Sequence, residues 1–267
     1  MTMTMPSPLR VIVTRPAREA SRWTQDLREA GFDAVSLPLI AIEPVEEAGL
    51  EALDDAQLRM GDYTALMFVS APAVEHFLPR SNEMLFQRDV GLPRFWATGP
   101  GTVRALRQAG VPESRIDSPA HDAGQFDSEA LWACAGSQID EGARVLIVRG
   151  GDAEGRPTGR DWLAREVEGA GGALDTVVAY RRLAPAFGDA ERRLASGAAT
   201  DGSIWLFSSS ESIGHLRRAM PSTDWRAARC VATHPRIGQA AREAGFGTVA
   251  LSQPGSAALV ASIESFK

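Results

Sequence analysis

Residues 94–111, RFWATGPGTVRALRQAGV, return 135 residues later as residues 229–246, RCVATHPRIGQAAREAGF. Arg94, Ala97, Thr98, Pro100, Ala105, Ala109 and Gly110 recur as Arg229, Ala232, Thr233, Pro235, Ala240, Ala244 and Gly245. Such self-similarity marks a duplicated structural unit. Working outward, MFVSAPAVEHF (67–77) matches LFSSSESIGHL (206–216) at an offset of 139 and keeps Phe68/Phe207, Ser70/Ser209 and His76/His215. VIVTRP (11–16) matches LIVRGG (146–151) at the first offset of 135. The drift is a matter of small loop insertions, of which AEGRPTG (153–159) is the main one.

Each copy has one grammar. A short β-rich run ends in a polar or Gly/Pro turn and opens a helix. Strands are expected at Val11–Val13, Leu66–Val69 and Phe95–Ala97, and again at Leu146–Val148, Ile204–Phe207 and Cys230–Ala232. The intervening segments place apolar residues at helical spacing, as in Trp23/Leu27/Ala30, Val74/Phe77/Leu78 and Val103/Leu106/Ala109. Gly31, Gly110 and Gly245 stand where a helix C-terminal glycine belongs. After Gly31 and Gly171 come two more β runs, VSLPLIAIEP (35–44) and TVVAYRRLAP (176–185). Strands alternating with helices imply parallel sheets covered on both faces. The expected fold is therefore α/β, with two similar doubly wound parallel-sheet domains.

Composition narrows the function. Across 267 residues, 44% are hydrophobic and 23% charged, enough apolar surface for a packed core and far from a disordered composition. A net charge of −6 disfavours non-specific nucleic-acid binding. No run approaches the roughly 20 apolar residues of a membrane span. MTMTMPSPLR carries no signal-peptide pattern, and residues 1–8 are expected to form a disordered lead. Cys134 and Cys230 make no CxxC, and the four histidines make no HExxH, so no metal site is expected and a reducing, cytoplasmic setting follows.

In doubly wound sheets, ligands bind off the carboxyl ends of the strands. Six strand-to-helix turns are expected there: Thr14–Arg15–Pro16, Ser70–Ala71–Pro72, Gly99–Pro100–Gly101–Thr102, Arg149–Gly150–Gly151, Ser208–Ser209–Ser210 and His234–Pro235–Arg236. Helix starts bind anions through unanswered N–H groups and about half a unit of positive charge each. A single such turn is commonly just a cap. Six at matching positions point to an anionic ligand held in a cleft between the two domains. No Walker A loop or complete dinucleotide fingerprint is present. Of the two tyrosines, Tyr63 reads as structural, whereas Tyr180 ends a strand and is a proton donor at neutral pH.

The order of these pieces resembles the uroporphyrinogen-III synthase family. The matching motifs are TRP at 14–16, F-x-S-x-x-x-V at Phe68–Val74, G-P-x-T-x-x-A-L at Gly99–Leu106, LIVRG followed by Gly159–Arg160, VVAYRR at 177–182, LFSSS at 206–210 and the final helix–Gly–strand segment, together spanning about 9–265. The resemblance implies interleaved domains, 9–36 plus 184–267 and 45–175. They would be joined by a two-stranded β linker at 37–44 and 176–183, with linker strands Pro38–Pro44 and Thr176–Leu183.

It also implies a cofactor-free cyclising lyase of tetrapyrrole biosynthesis. Its substrate is hydroxymethylbilane, a linear tetrapyrrole with eight carboxylates. Hydroxyl loss yields an azafulvene, the far ring attacks to give a spiro intermediate, and reclosure inverts ring D. By resemblance Tyr180 assists hydroxyl departure. Ser70, Ala71, Gly99, Pro100, Gly101, Thr102, Gly150, Ser208, Ser209, Ser210 and His234 would line the substrate site, with Arg15, Arg149 and Arg236 as helpers. A monomer is expected, with no nucleic-acid or membrane partner and at most transient contact with the preceding pathway enzyme.

One departure stands out. Where the family has a second G-P-x-T turn, this chain has His234–Pro235–Arg236–Ile237. It leaves open a non-catalytic tetrapyrrole-binding or regulatory paralogue. A two-domain sugar or nucleotide transferase is opposed by the missing phosphate loop and metal carboxylates.

Overall fold

The computed structural model describes residues 8–78, 91–120, 128–158, 162–253 and 256–266. Residues 1–7 of the expected lead, and Gly159 and Arg160 of the expected motif, lie outside them. The chain divides into two compact units, Met1–Ala41 with Leu183–Lys267, and Ile42–Arg182.

The first unit is a five-stranded sheet of β1 (Arg10–Val13), β2 (Asp33–Ser36), β9 (Ile204–Phe207), β10 (Arg229–Ala232) and β11 (Thr248–Leu251), ordered β11-β10-β9-β1-β2. All its neighbours are parallel. Side chains alternate between its faces, as a strand requires. Val11 and Val13 pack with α1 (Ala17–Glu29) and α10 (Ser256–Glu264). Ile12, Trp205 and Phe207 pack with α7 (Asp189–Ala198), α8 (Ser210–Ala219) and α9 (Pro235–Glu243). Because both faces are covered, β9 is apolar throughout and fully buried, IWLF.

The second unit is a six-stranded sheet ordered β3-β8-β7-β4-β5-β6. Its strands are β3 (Ala41–Pro44), β4 (Ala65–Phe68), β5 (Arg94–Ala97), β6 (Ile116–Asp117), β7 (Arg144–Gly151) and β8 (Ala173–Leu183). The ladders β4–β5, β4–β7, β5–β6 and β7–β8 are parallel. One face packs on α2 (Glu47–Leu58), α3 (Ala71–Phe77) and α4 (Pro100–Gln108), the other on α5 (Ser128–Ala135) and α6 (Trp162–Gly169).

The duplication is therefore exchanged between units. The matched strands β1 and β7 each join sheet neighbours that lie in the other copy of the repeat: β1 pairs with β9, and β7 with β4. In the first unit β1 lies between β2 and β9, the 2-1-3-4-5 order of a doubly wound sheet with its switch point between strands one and three; in the second unit β7, the counterpart of β1, lies likewise between β8 and β4, with β3 added at the edge.

The structure corrects two expectations. The run at 35–44 is not one strand: β2 ends at Ser36 and β3 begins at Ala41, in different sheets. Pro38 cannot donate to a ladder, and the Leu37 and Leu39 amides instead bond the Val13 and Thr14 carbonyls while their side chains are buried. Arg149–Gly150–Gly151 is not a turn but the end of β7, paired to Val178, Tyr180 and Arg181 with a register shift between Arg149 and Gly150. Its glycines permit the close approach of β8 described below. The helix-ending glycines are as expected: Gly31, Gly110 and Gly245 have φ of +90°, +87° and +97°, where a Cβ is strained.

Candidate functional site

The switch point of the second unit lies between β4 and β7, and their carboxyl ends deliver Ser70 and Gly150. Register places Tyr180 of β8 beside Gly150. A Cβ on Gly150 would stand 2.5 Å from Tyr180 Cζ and 2.8 Å from its hydroxyl. The phenol thus lies directly against the β7 backbone. Its hydroxyl is 3.0 Å from Ser70 Oγ, and its ring is 5.8 Å from that of His76, centroid to centroid. Two residues chosen from sequence for different reasons, Tyr180 and Ser70, are hydrogen-bonded partners. His76 recurs in the repeat, yet its packing against Tyr180 was not legible from sequence, since the pattern says only that it follows Ser70 on a helix.

Ser70 also caps α3, its Oγ accepting from the Ala73 amide at 3.3 Å. Next along the same sheet edge, Gly99 begins α4 without a side-chain cap, Pro100 occupies the first turn, and a Cβ on Gly101 would meet nothing within 4 Å. The Gly101 end of α4 is thus open to an approaching group. Thr102 is buried within the first turn, its amide bonded to the Gly99 carbonyl at 3.0 Å. Arg149 points from the end of β7 and is half-buried, as are Ala71 and Ser70.

In the first unit the switch point lies between β1 and β9. Thr14 is buried there, its hydroxyl donating to the Leu206 carbonyl at 2.6 Å. Arg15 leaves this corner with its guanidinium 4.2 Å from the Trp23 ring and 2.6 Å from Glu19, and its buried Nε has no hydrogen-bond partner. Pro16 precedes α1 without a side-chain cap. Beyond β9, Ser208, Ser209 and Ser210 are half-buried; Ser209 caps α8, accepting from the Glu211 amide at 3.2 Å.

His234 fills the position of the missing glycine by capping α9 itself, its Nδ1 accepting from the Arg236 amide at 3.1 Å. This hydrogen bond uses Nδ1 as its acceptor, which leaves Nε2 as the ring's other polar atom. The cap occupies an amide that an anion would use, and Arg236 stays exposed beside it. Histidine is not a usual cap, so composition gave no warning of this.

Tyr63 is structural, as read. Its hydroxyl meets Asp175 at 3.0 Å, and Arg144 bonds the same carboxylate at 2.6 Å. Burial, then the bond to Asp175, hold the Tyr63 phenol above its ordinary value. Burial also pushes the Cys230 thiol up to about 12. Among the described residues, no group of His, Cys, Asp and Glu is arranged to hold a metal ion, and no helix is long and apolar enough to cross a membrane.

Comparisons with known proteins agree on one family. Residues 21–261 match the family described as Uroporphyrinogen-III synthase HemD. Over 184 residues the chain is 26% identical to the uroporphyrinogen-III synthase of Chlorobaculum parvum, covering 68% of this chain and 67% of that protein. Two solved structures share the fold. Uroporphyrinogen-III synthetase of Helicobacter pylori aligns with a TM-score of 0.55 at 13% identity, over 97% of this chain and 100% of the other. A variant of the Thermus thermophilus uroporphyrinogen III synthase gives 0.52 at 16% identity, over 97% of each chain. With the match covering most of its length, the chain belongs to the uroporphyrinogen-III synthase family.

Proposed function

We propose that this chain cyclises hydroxymethylbilane to uroporphyrinogen III, losing water and inverting ring D. Family membership names the reaction; the observation that carries its chemistry is the Tyr180–Ser70 hydrogen bond at a sheet switch point. Three demands follow from the substrate. Its terminal hydroxyl must leave, which calls for a proton donor, and a tyrosine is protonated at neutral pH. Its eight carboxylates must be held. The open starts of α1 and α4, with Arg15 and Arg149 beside the same sheet ends, offer amides and guanidinium groups for them. Its two ends must meet, an orientation effect that calls for several anchors at fixed positions along the strand ends.

The net charge of −6 is no obstacle, because local amides and arginines set the field where the anion docks. His234 caps α9 as Ser209 caps α8, each engaging one first-turn amide, which leaves the uncapped starts of α1 and α4 the more open anchors. Arg236 compensates with a side-chain charge. The protein acts as a monomer without a cofactor. Hydroxymethylbilane supplied to the purified protein should accumulate as the type III isomer. Type I alone, at the spontaneous rate, would leave only a non-catalytic binding protein.

A further inference from the structure

Resting on that reading, we propose that Ser70 is a second catalytic group, the one that hands Tyr180's proton to the departing hydroxyl. Tyr180 is only 4% exposed and is packed in the apolar cluster of the second unit. Ser70, at the mouth of the strand end, is half-buried. A serine hydroxyl has two lone pairs and one proton. Ser70 Oγ accepts from the Ala73 amide at 3.3 Å, and the phenol stands 3.0 Å away. When the phenol donates, both serine lone pairs are filled, and the serine proton is the one left to point out of the protein. The more accessible member of the pair thus carries the transferable proton, and the buried member replenishes it.

The step balances. The Ser70 O–H proton passes to the substrate hydroxyl as the Tyr180 O–H proton passes to Ser70 Oγ. The C–O bond breaks with its electron pair, water leaves, and the pyrrole nitrogen lone pair stabilises the carbon as a cationic azafulvene. Tyr180 is left as a phenolate accepting a hydrogen bond from Ser70. The proton shed when the closed ring regains aromaticity returns through Ser70 to the phenolate.

The test is a double-mutant cycle on the full chain, with folding of each variant verified by thermal melting. Ser70→Ala should lower kcat by about 10²-fold, the scale of a lost general acid, with KM changed less than about threefold. Ser70→Thr, which keeps cap and hydroxyl, should recover most of the rate. Tyr180→Phe with Ser70→Ala should be no slower than the worse single variant, because two members of one relay do not add. A proton inventory in mixed H2O/D2O should curve for the unmodified protein, with two protons in flight, and straighten in Ser70→Ala. Multiplicative losses, or a raised KM with kcat retained, would overturn the relay while leaving the synthase reading intact. An unmodified protein that yields only the type I isomer overturns that reading and the relay with it.

Discussion

Gly150 is bare because Tyr180 occupies the space a side chain would need. A Cβ at this position would lie 2.5 Å from the ring and cannot be accommodated without moving the phenol, and the His76 and Ser70 contacts oppose that movement. Gly150→Ala should therefore act on chemistry through position. A displacement on the 1 Å scale can cost about 10²-fold in rate. We expect kcat to fall by at least tenfold while carboxylate anchoring, and so KM, changes little; steady-state kinetics on the variant separate the two. Equal activity would show that the phenol need not sit where it does. At this scale the sequence was partly readable. Ser70 and Tyr180 stood out singly, but their contact depends on a β7–β8 register that lies beyond any local pattern. Arg149–Gly151 read as a turn because glycines usually mark one, whereas here they allow a ring to lie on a strand.

Among the elements, the β7–β8 ladder is fastened at its start by the Tyr63–Asp175–Arg144 network and carries Tyr180 near its end. The folded protein holds Tyr63 above the ordinary tyrosine value of about 10 through burial first and the Asp175 bond second. A raised folded value favours the protonated form, so its stabilisation is complete below pH ~10 and is lost as pH rises through the folded value. With two tyrosines in the chain, Tyr180→Phe leaves Tyr63 as the single reporter. Its phenolate absorbance should rise only above pH 10, accompanied by a falling melting temperature; Tyr63→Phe should flatten that fall. An ordinary titration near 10 would contradict the network. Element type was largely legible, since runs such as IWLF and ALMF bounded by turns admit little but buried strands. The break at 37–40 was not, because Leu37 and Leu39 keep the apolar alternation while the chain changes sheet.

Over the whole molecule, duplication and interleaving are separate facts. The repeat says that two alike sheets exist; it cannot say that β1 joins β9 while β7 joins β4, because both copies share one grammar and their pairings are non-local. A consequence is that the copies are not folding units. Residues 42–182 expressed alone contain every strand of their sheet except the first residue of β3 and the last of β8, and should give cooperative thermal unfolding. Residues 136–267, a complete copy of the repeat, would carry the β7–β8 pair without β4 and β3 and the strands β9, β10 and β11 without β1, and should stay largely unfolded by circular dichroism and amide dispersion.

The central claim is that the strand-end turns are where this chain receives its polyanionic substrate. Backbone amide shifts on adding uroporphyrinogen III to the isotopically labelled protein test it most directly. The account predicts the largest changes at 15–19, 99–103 and 208–211, together with Ser70 and Arg149. Changes centred away from the carboxyl ends of the strands would contradict it.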